Sequence, residues 1–81
     1  MKVRVHFFAQ LRDLTGAQEL IVNLREGASV ADLLARIYEQ TPALRAHDAG
    51  ILVGVGLEFV DRNYNLEPGD EISIMPPVQG G

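Results

Sequence analysis

A single stretch of this 81-residue chain carries apolar residues at helical spacing over more than two turns, and the other apolar runs are short and strand-like. Val30, Leu33, Leu34, Ile37 and Tyr38 fall on one face of a helix whose other side carries Asp32, Arg36, Glu39 and Gln40. Ser29 stands three residues ahead of Asp32, a variant of the capping box in which the serine hydroxyl accepts an early helix N–H. Pro42 ends or redirects the helix. One amphipathic helix cannot bury its apolar stripe alone, and the chain has no room for a second helical layer. The stripe must therefore lie on a sheet.

The strands follow from alternation. Residues 2–8 set Val3, Val5 and Phe7 against Arg4, His6 and Phe8, the period of a half-buried strand. Residues 9–14 shift to a spacing that suits a short helical turn, which Gly16 can close in the left-handed conformation. From Gln18 a second strand sets Leu20, Val22 and Leu24 against Glu19, Ile21 and Asn23, and Arg25-Glu26-Gly27 turns the chain. These first two strands are expected to pair antiparallel. Thr41-Pro42 can cap a short second helix through Leu44-Arg45-Ala46, with Gly50 closing that region. Residues 51–55 read as a third strand, and Gly56-Leu57 suits a type II′ turn into a short fourth strand, Glu58-Phe59-Val60. After an irregular stretch over residues 61–65, Glu67-Pro68-Gly69-Asp70 carries a type II turn signature ahead of a last strand over residues 71–75.

Strand, strand, helix and three short strands favour an α+β domain over residues 1–75, a ubiquitin-like β-grasp in which a mixed sheet of about five strands grips one main helix. Residues 76–81 form an expected extended tail. A domain this small buries only about 60 to 65% of its unfolded surface, so modest stability is expected.

Composition removes several classes of function. The chain has no Cys, which excludes disulfides, thiolate zinc sites and a persulfide carried on its own side chains. A net charge of −4 argues against nucleic acid or an anionic membrane as the main partner and fits a protein partner with a basic docking site. The first residues alternate as a strand and no apolar run approaches ~18 residues, so neither a signal peptide nor a membrane span is expected, and a cytoplasmic location follows. Lys2 is the only lysine, a poor basis for isopeptide-linked chains of this protein. His6 and His47 lie on different elements with no carboxylate at ligand spacing, so no metal site is expected. Ser29 has no His arranged to activate it, and Gly50, Gly54 and Gly56 do not make a phosphate-binding fingerprint.

The residues that point to chemistry are at the end of the chain. Met75-Pro76-Pro77-Val78-Gln79-Gly80-Gly81 follows the last strand directly. Pro76 and Pro77 fix φ and bias the segment toward extended polyproline geometry, so six residues reach roughly 20 Å. Two terminal glycines leave a narrow backbone that fits a tight channel and carries a free carboxylate at its tip. A frayed terminus is the plainer alternative. Beside the tail, strand parity places Phe8 with Arg4 and His6, and Met75 with Ser73, on the sheet face away from the helix. With Phe59 they compose an expected apolar docking face rimmed by Arg4 and Glu58. The alternative is that Phe8 and Met75 fold over the sheet edge.

Three stretches carry a resemblance: Phe7-Phe8-Ala9-Gln10-Leu11-Arg12-Asp13, Pro68-Gly69-Asp70-Glu71, and Pro76-Pro77-Val78-Gln79-Gly80-Gly81. Over nearly its whole length the chain resembles the ubiquitin-like sulfur carriers that serve as the small subunit of molybdopterin synthase. It departs from them between the third and fourth strands, where Gly56-Leu57 replaces the usual Asn-Gly-like pair. The resemblance implies that an ATP-using, ubiquitin-activating-like adenylyltransferase adenylates the Gly81 carboxylate and that a sulfurtransferase supplies sulfur to make a thiocarboxylate. It further implies a heterotetramer with the large catalytic subunit, into which Pro76, Pro77, Val78, Gln79 and Gly80 insert the tip so that sulfur reaches a pterin precursor. No stably bound cofactor is implied, and catalytic groups belong to the partner. A ubiquitin-like modifier, a sulfur carrier for thiazole synthesis and a non-covalent interaction module remain open.

Overall fold

The computed structural model describes residues 1–77. Its elements in chain order are β1 (Lys2–Phe7), α1 (Gln10–Thr15), β2 (Glu19–Asn23), α2 (Val30–Gln40), a run of 3-10 turns (Pro42–Gly50), β3 (Leu52–Val55), β4 (Glu58–Val60) and β5 (Glu71–Met75). The five strands form one mixed sheet in the order β2-β1-β5-β3-β4. β1 pairs antiparallel with β2 and parallel with β5, while β3 pairs antiparallel with both β4 and β5. The first and last strands are thus central neighbours running the same way. This is the β-grasp arrangement expected from the order of elements.

One face of the sheet is dry. Val3, Val5 and Phe7 of β1, Val22 of β2, Val53 of β3 and Ile72 and Ile74 of β5 join Val30, Leu33, Leu34, Ile37 and Tyr38 of α2 in a single cluster. Leu11 of α1, Leu44 and Ile51 close its ends, and no polar or charged residue is buried among the described residues. Each fully buried aliphatic side chain contributes roughly 1.5 to 3 kcal/mol.

The start of α2 shows where its orphan N–H groups go. Ser29 Oγ accepts from the Asp32 N–H at 3.2 Å, and the Asp32 carboxylate accepts from the Ser29 N–H at 2.9 Å, a reciprocal capping box. The Val30 and Ala31 N–H groups donate to the carbonyls of Tyr64 and Arg62. The irregular stretch after β4 therefore completes the cap from a distance, a role its sequence does not announce.

The turns agree with their residues. Gly56 has φ 60 and Leu57 is not in the left-handed region, which fits a type II′ hairpin. Gly69 has φ 82, and the Asp70 N–H donates to the Glu67 carbonyl, closing the type II turn. Besides one-residue shifts at the ends of α1 and β3, the structure departs from expectation at two places. β1 ends at Phe7 and not at Phe8, because Ala9 takes φ 52 and the chain folds back with the Leu11 N–H on the Phe8 carbonyl. The 3-10 run spans Pro42–Gly50, well beyond the three residues around Leu44.

Candidate functional site

Parallel pairing of β1 and β5 brings the ends of both strands to one edge of the sheet. Phe7 and Ile74 are register partners, and the Phe8 N–H still donates to the Ile74 carbonyl at 3.2 Å. Phe8 and Met75 are the next residues along each strand, and Met75 is paired with Leu52 of β3. The tail begins here, with Pro76 half-buried and Pro77 exposed. The remaining tail residues singled out from sequence, Val78, Gln79, Gly80 and the reacting Gly81, lie outside the described residues.

Register also fixes which face these side chains share. Gly54 pairs with Phe59 on one side and Ser73 on the other, and Ser73 pairs with His6, so this row lies on the face opposite the core. Phe59 is 71% exposed, Phe8 41% and Leu57 fully exposed, an apolar group that a domain standing alone gives no packing reason to expose. The Met75 methyl comes within 3.5 Å of where a Gly54 Cβ would sit. Gly54, Gly56, Leu57, Glu58, Phe59, Ser73 and Met75 line a shallow hollow of about 170 Å³. The Met75 thioether thus lies near Gly54 on the outer face, beside the root of the tail.

Arg4 shares this face but stands farther down β1. Its guanidinium reaches Glu19 and Glu71, each at 3.4 Å, and His6 Nδ1 approaches the same Glu19 at 3.6 Å. Arg4, Ile21, Lys2 and Gly69 border a separate open depression. The structure therefore brings Phe8, Met75 and Phe59 to the tail end of the outer face and sets Arg4 apart from them, in a strip of exposed ion pairs individually worth little.

One polar cluster was not visible in the sequence. The Asp48 carboxylate accepts from the Tyr38 hydroxyl at 2.5 Å and from Arg62 Nη1 at 2.9 Å. Arg62 Nη2 also donates to the backbone carbonyls of Asp48 at 2.8 Å and Ile51 at 3.3 Å. Hydrogen bonds from Tyr38 and Arg62 hold the Asp48 carboxyl below its usual range, and burial followed by the bond to Asp48 pushes the Tyr38 phenol up. These bonds tie down the end of a 3-10 run longer than such runs usually are, adding a second donor to the Asp48 carbonyl that already accepts the Ile51 N–H. Arg62 lies in a segment without periodicity, so only its donor-rich chemistry could have hinted at it.

Comparison with known proteins agrees with this geometry. The chain is 35% identical to the molybdopterin synthase sulfur carrier subunit of Chlamydomonas reinhardtii, with full coverage of both chains. Among solved structures, small archaeal modifier protein 1 (SAMP1) of Haloferax volcanii superposes with a TM-score of 0.88 at 27% identity, covering 100% of both chains. A chain from the protein–protein complex of subunits 1 and 2 of molybdopterin-converting factor from Helicobacter pylori 26695 gives a TM-score of 0.72 at 26% identity, again covering 100% of each. Residues 5–81 match the model of the ThiS family, and the chain belongs to that family.

Proposed function

We propose that this protein is the sulfur carrier subunit of a molybdopterin synthase. The observation that carries this reading is the full-length similarity to molybdopterin synthase sulfur carrier subunits, which leaves no part of either chain unmatched. A likeness to one subunit of a two-subunit complex supports a large partner subunit, for which the exposed Phe8, Phe59 and Met75 surface is the natural docking face.

The chemistry belongs to the Gly81 carboxylate. Ionised at neutral pH, with a reference pKa of about 3.5, it is a poor electrophile. An activating partner transfers AMP from ATP to one carboxylate oxygen with loss of pyrophosphate, which installs a leaving group. The outer sulfur of a persulfide then displaces AMP, and cleavage of its S–S bond by a second thiol leaves a thiocarboxylate. That sulfur is the nucleophile delivered to the pterin precursor. The rings of Pro76 and Pro77 fix two successive φ angles ahead of the reacting end, so the domain supplies binding and the tip supplies the reacting atom. This chain works as the carrier, and the groups that bind an anionic pterin reside on the large subunit. The setting is cytoplasmic, where ATP is available. Among the described residues, no helix is long and apolar enough to cross a membrane.

The likeness to SAMP1 favours a second reading, protein modification, in which the adenylated tip is captured by a lysine amine. One reconstitution separates the two. The chain is incubated with ATP, an activating enzyme, a sulfurtransferase with its sulfur source, the large subunit and the pterin precursor, and the products are followed by mass spectrometry. Exchange of one terminal oxygen for sulfur, followed by dithiolene formation, is the expected result. An isopeptide adduct without terminal sulfur would establish the modifier reading instead.

A further inference from the structure

We propose that Gly50 is the seat that sets where the tail leaves the domain, and that Arg62 is a positioning residue that holds the backbone on both sides of this seat. The proposal deepens the sulfur-carrier reading and rests on it.

Pro77 lies against Gly50 so closely that an added Cβ would meet its Cγ at 3.1 Å, its Cδ at 3.3 Å and its Cβ at 3.7 Å. Carbon atoms pack at about 3.5 to 4.0 Å, so a Cβ at position 50 presses the ring by a few tenths of an ångström and a β-branched side chain presses it further. The three nearest atoms to such a Cβ all belong to Pro77, so the tail root is what a side chain at this position would press on. Backbone geometry makes no demand for glycine here, because Gly50 is not among the residues with positive φ.

The seat is held from both flanks. One Arg62 nitrogen donates to the carbonyls of Asp48 and Ile51, and the other donates to the Asp48 carboxylate that also receives the Tyr38 hydroxyl. Ile51 is anchored in the core at 5% exposure, and Tyr38 belongs to α2. A planar guanidinium thereby ties the two sides of Gly50 to the helix and to the loop after β4, a fork that Lys could not reproduce. On the tail side, the rings of Pro76 and Pro77 fix two successive φ angles, so a shift at the seat is not absorbed by those torsions. Delivering a terminal atom into a partner's site is a matter of placement, in which an error of about 1 Å can cost 10²-fold in rate.

The test uses the full-length chain in the reconstituted synthase, with Gly50→Val and Arg62→Gln as the variants and Phe59→Asp as the docking control. NMR reads the cross-peaks between residue 50 Hα and the Pro77 ring, urea titration reads the fold, and kcat for sulfur transfer is measured separately from the KM for the large subunit. Gly50→Val is expected to lose the cross-peaks, keep the wild-type urea midpoint, and lower kcat roughly tenfold or more with KM within about twofold. Arg62→Gln is expected to weaken the cross-peaks and lower kcat in the same sense, whereas Phe59→Asp raises KM and leaves the cross-peaks in place. Wild-type kcat in Gly50→Val, or a loss confined to KM, overturns the proposal. Failure of the underlying reading looks different, because the wild-type chain then delivers no sulfur while its cross-peaks persist.

Discussion

At the scale of single residues, Tyr38, Asp48 and Arg62 make the stability of this domain depend on pH from both sides. Asp48 titrates below its ordinary value of 3.8 in the folded chain, so its contribution is present above that value and is lost as pH falls through the depressed one. Tyr38 is shifted upward from 10.0, so its contribution is complete below that value and is lost as pH rises beyond it. Urea midpoints measured across pH are therefore expected to hold a plateau between about 4 and 10 as far as these groups decide it. Asp48→Asn should flatten the acid limb and Tyr38→Phe the alkaline limb, while limbs unchanged in both variants would remove the cluster from the account. Little of this was legible in the sequence, because Arg62 meets Asp48 and Ile51 across separations of 14 and 11 residues and binds mainly backbone carbonyls. Carbonyls leave no mark on side-chain pattern. The apolar residues were legible one by one: Val3, Val5 and Phe7 are buried as alternation required, and Phe59 is exposed.

At the scale of elements, α2 was readable from end to end because its signals are local. The apolar stripe, the Ser29 cap with Asp32 and the Pro42 stop all lie within a few residues of the helix they define. Ser29→Ala removes the acceptor for the Asp32 N–H and should lower stability by about 1 kcal/mol in urea titration, with Ser29→Asp largely restoring it. A loss below about 0.3 kcal/mol would mean that the Tyr64 and Arg62 carbonyls suffice as the cap. Those carbonyls, like the end of β1, depend on contacts or torsions that no periodicity encodes. Alanine ordinarily avoids positive φ, so nothing in Phe8-Ala9-Gln10 foretold that Ala9 would turn the chain at φ 52. Such a torsion costs on the order of 1 to 3 kcal/mol and is tolerated here where Phe8 must leave the strand at the patch edge.

At the scale of the molecule, the placement of β1 beside β5 governs which surfaces lie next to the tail root. It sets Phe8, Met75 and the start of the tail on one edge, with Phe59 on the same outer face, so a partner that docks on this face meets the tail root as well. The element order foretold the fold class. The antiparallel pairing of β1 with β2 was foretold as well, whereas the pairing of β1 with β5 and the contact of Gly50 with Pro77 were not, because both join segments far apart in sequence. Arg4 illustrates the same limit: parity assigned its face correctly, but position along the strand placed it among ion pairs and not at the tail. The central claim is that sulfur travels on the carbonyl of Gly81 while the rest of the chain binds and aims it. The most direct measurement is the yield of dithiolene in the reconstituted synthase from the intact chain and from one lacking Gly81. The intact chain is expected to give product and the shortened chain none, and equal yields from both would contradict the account.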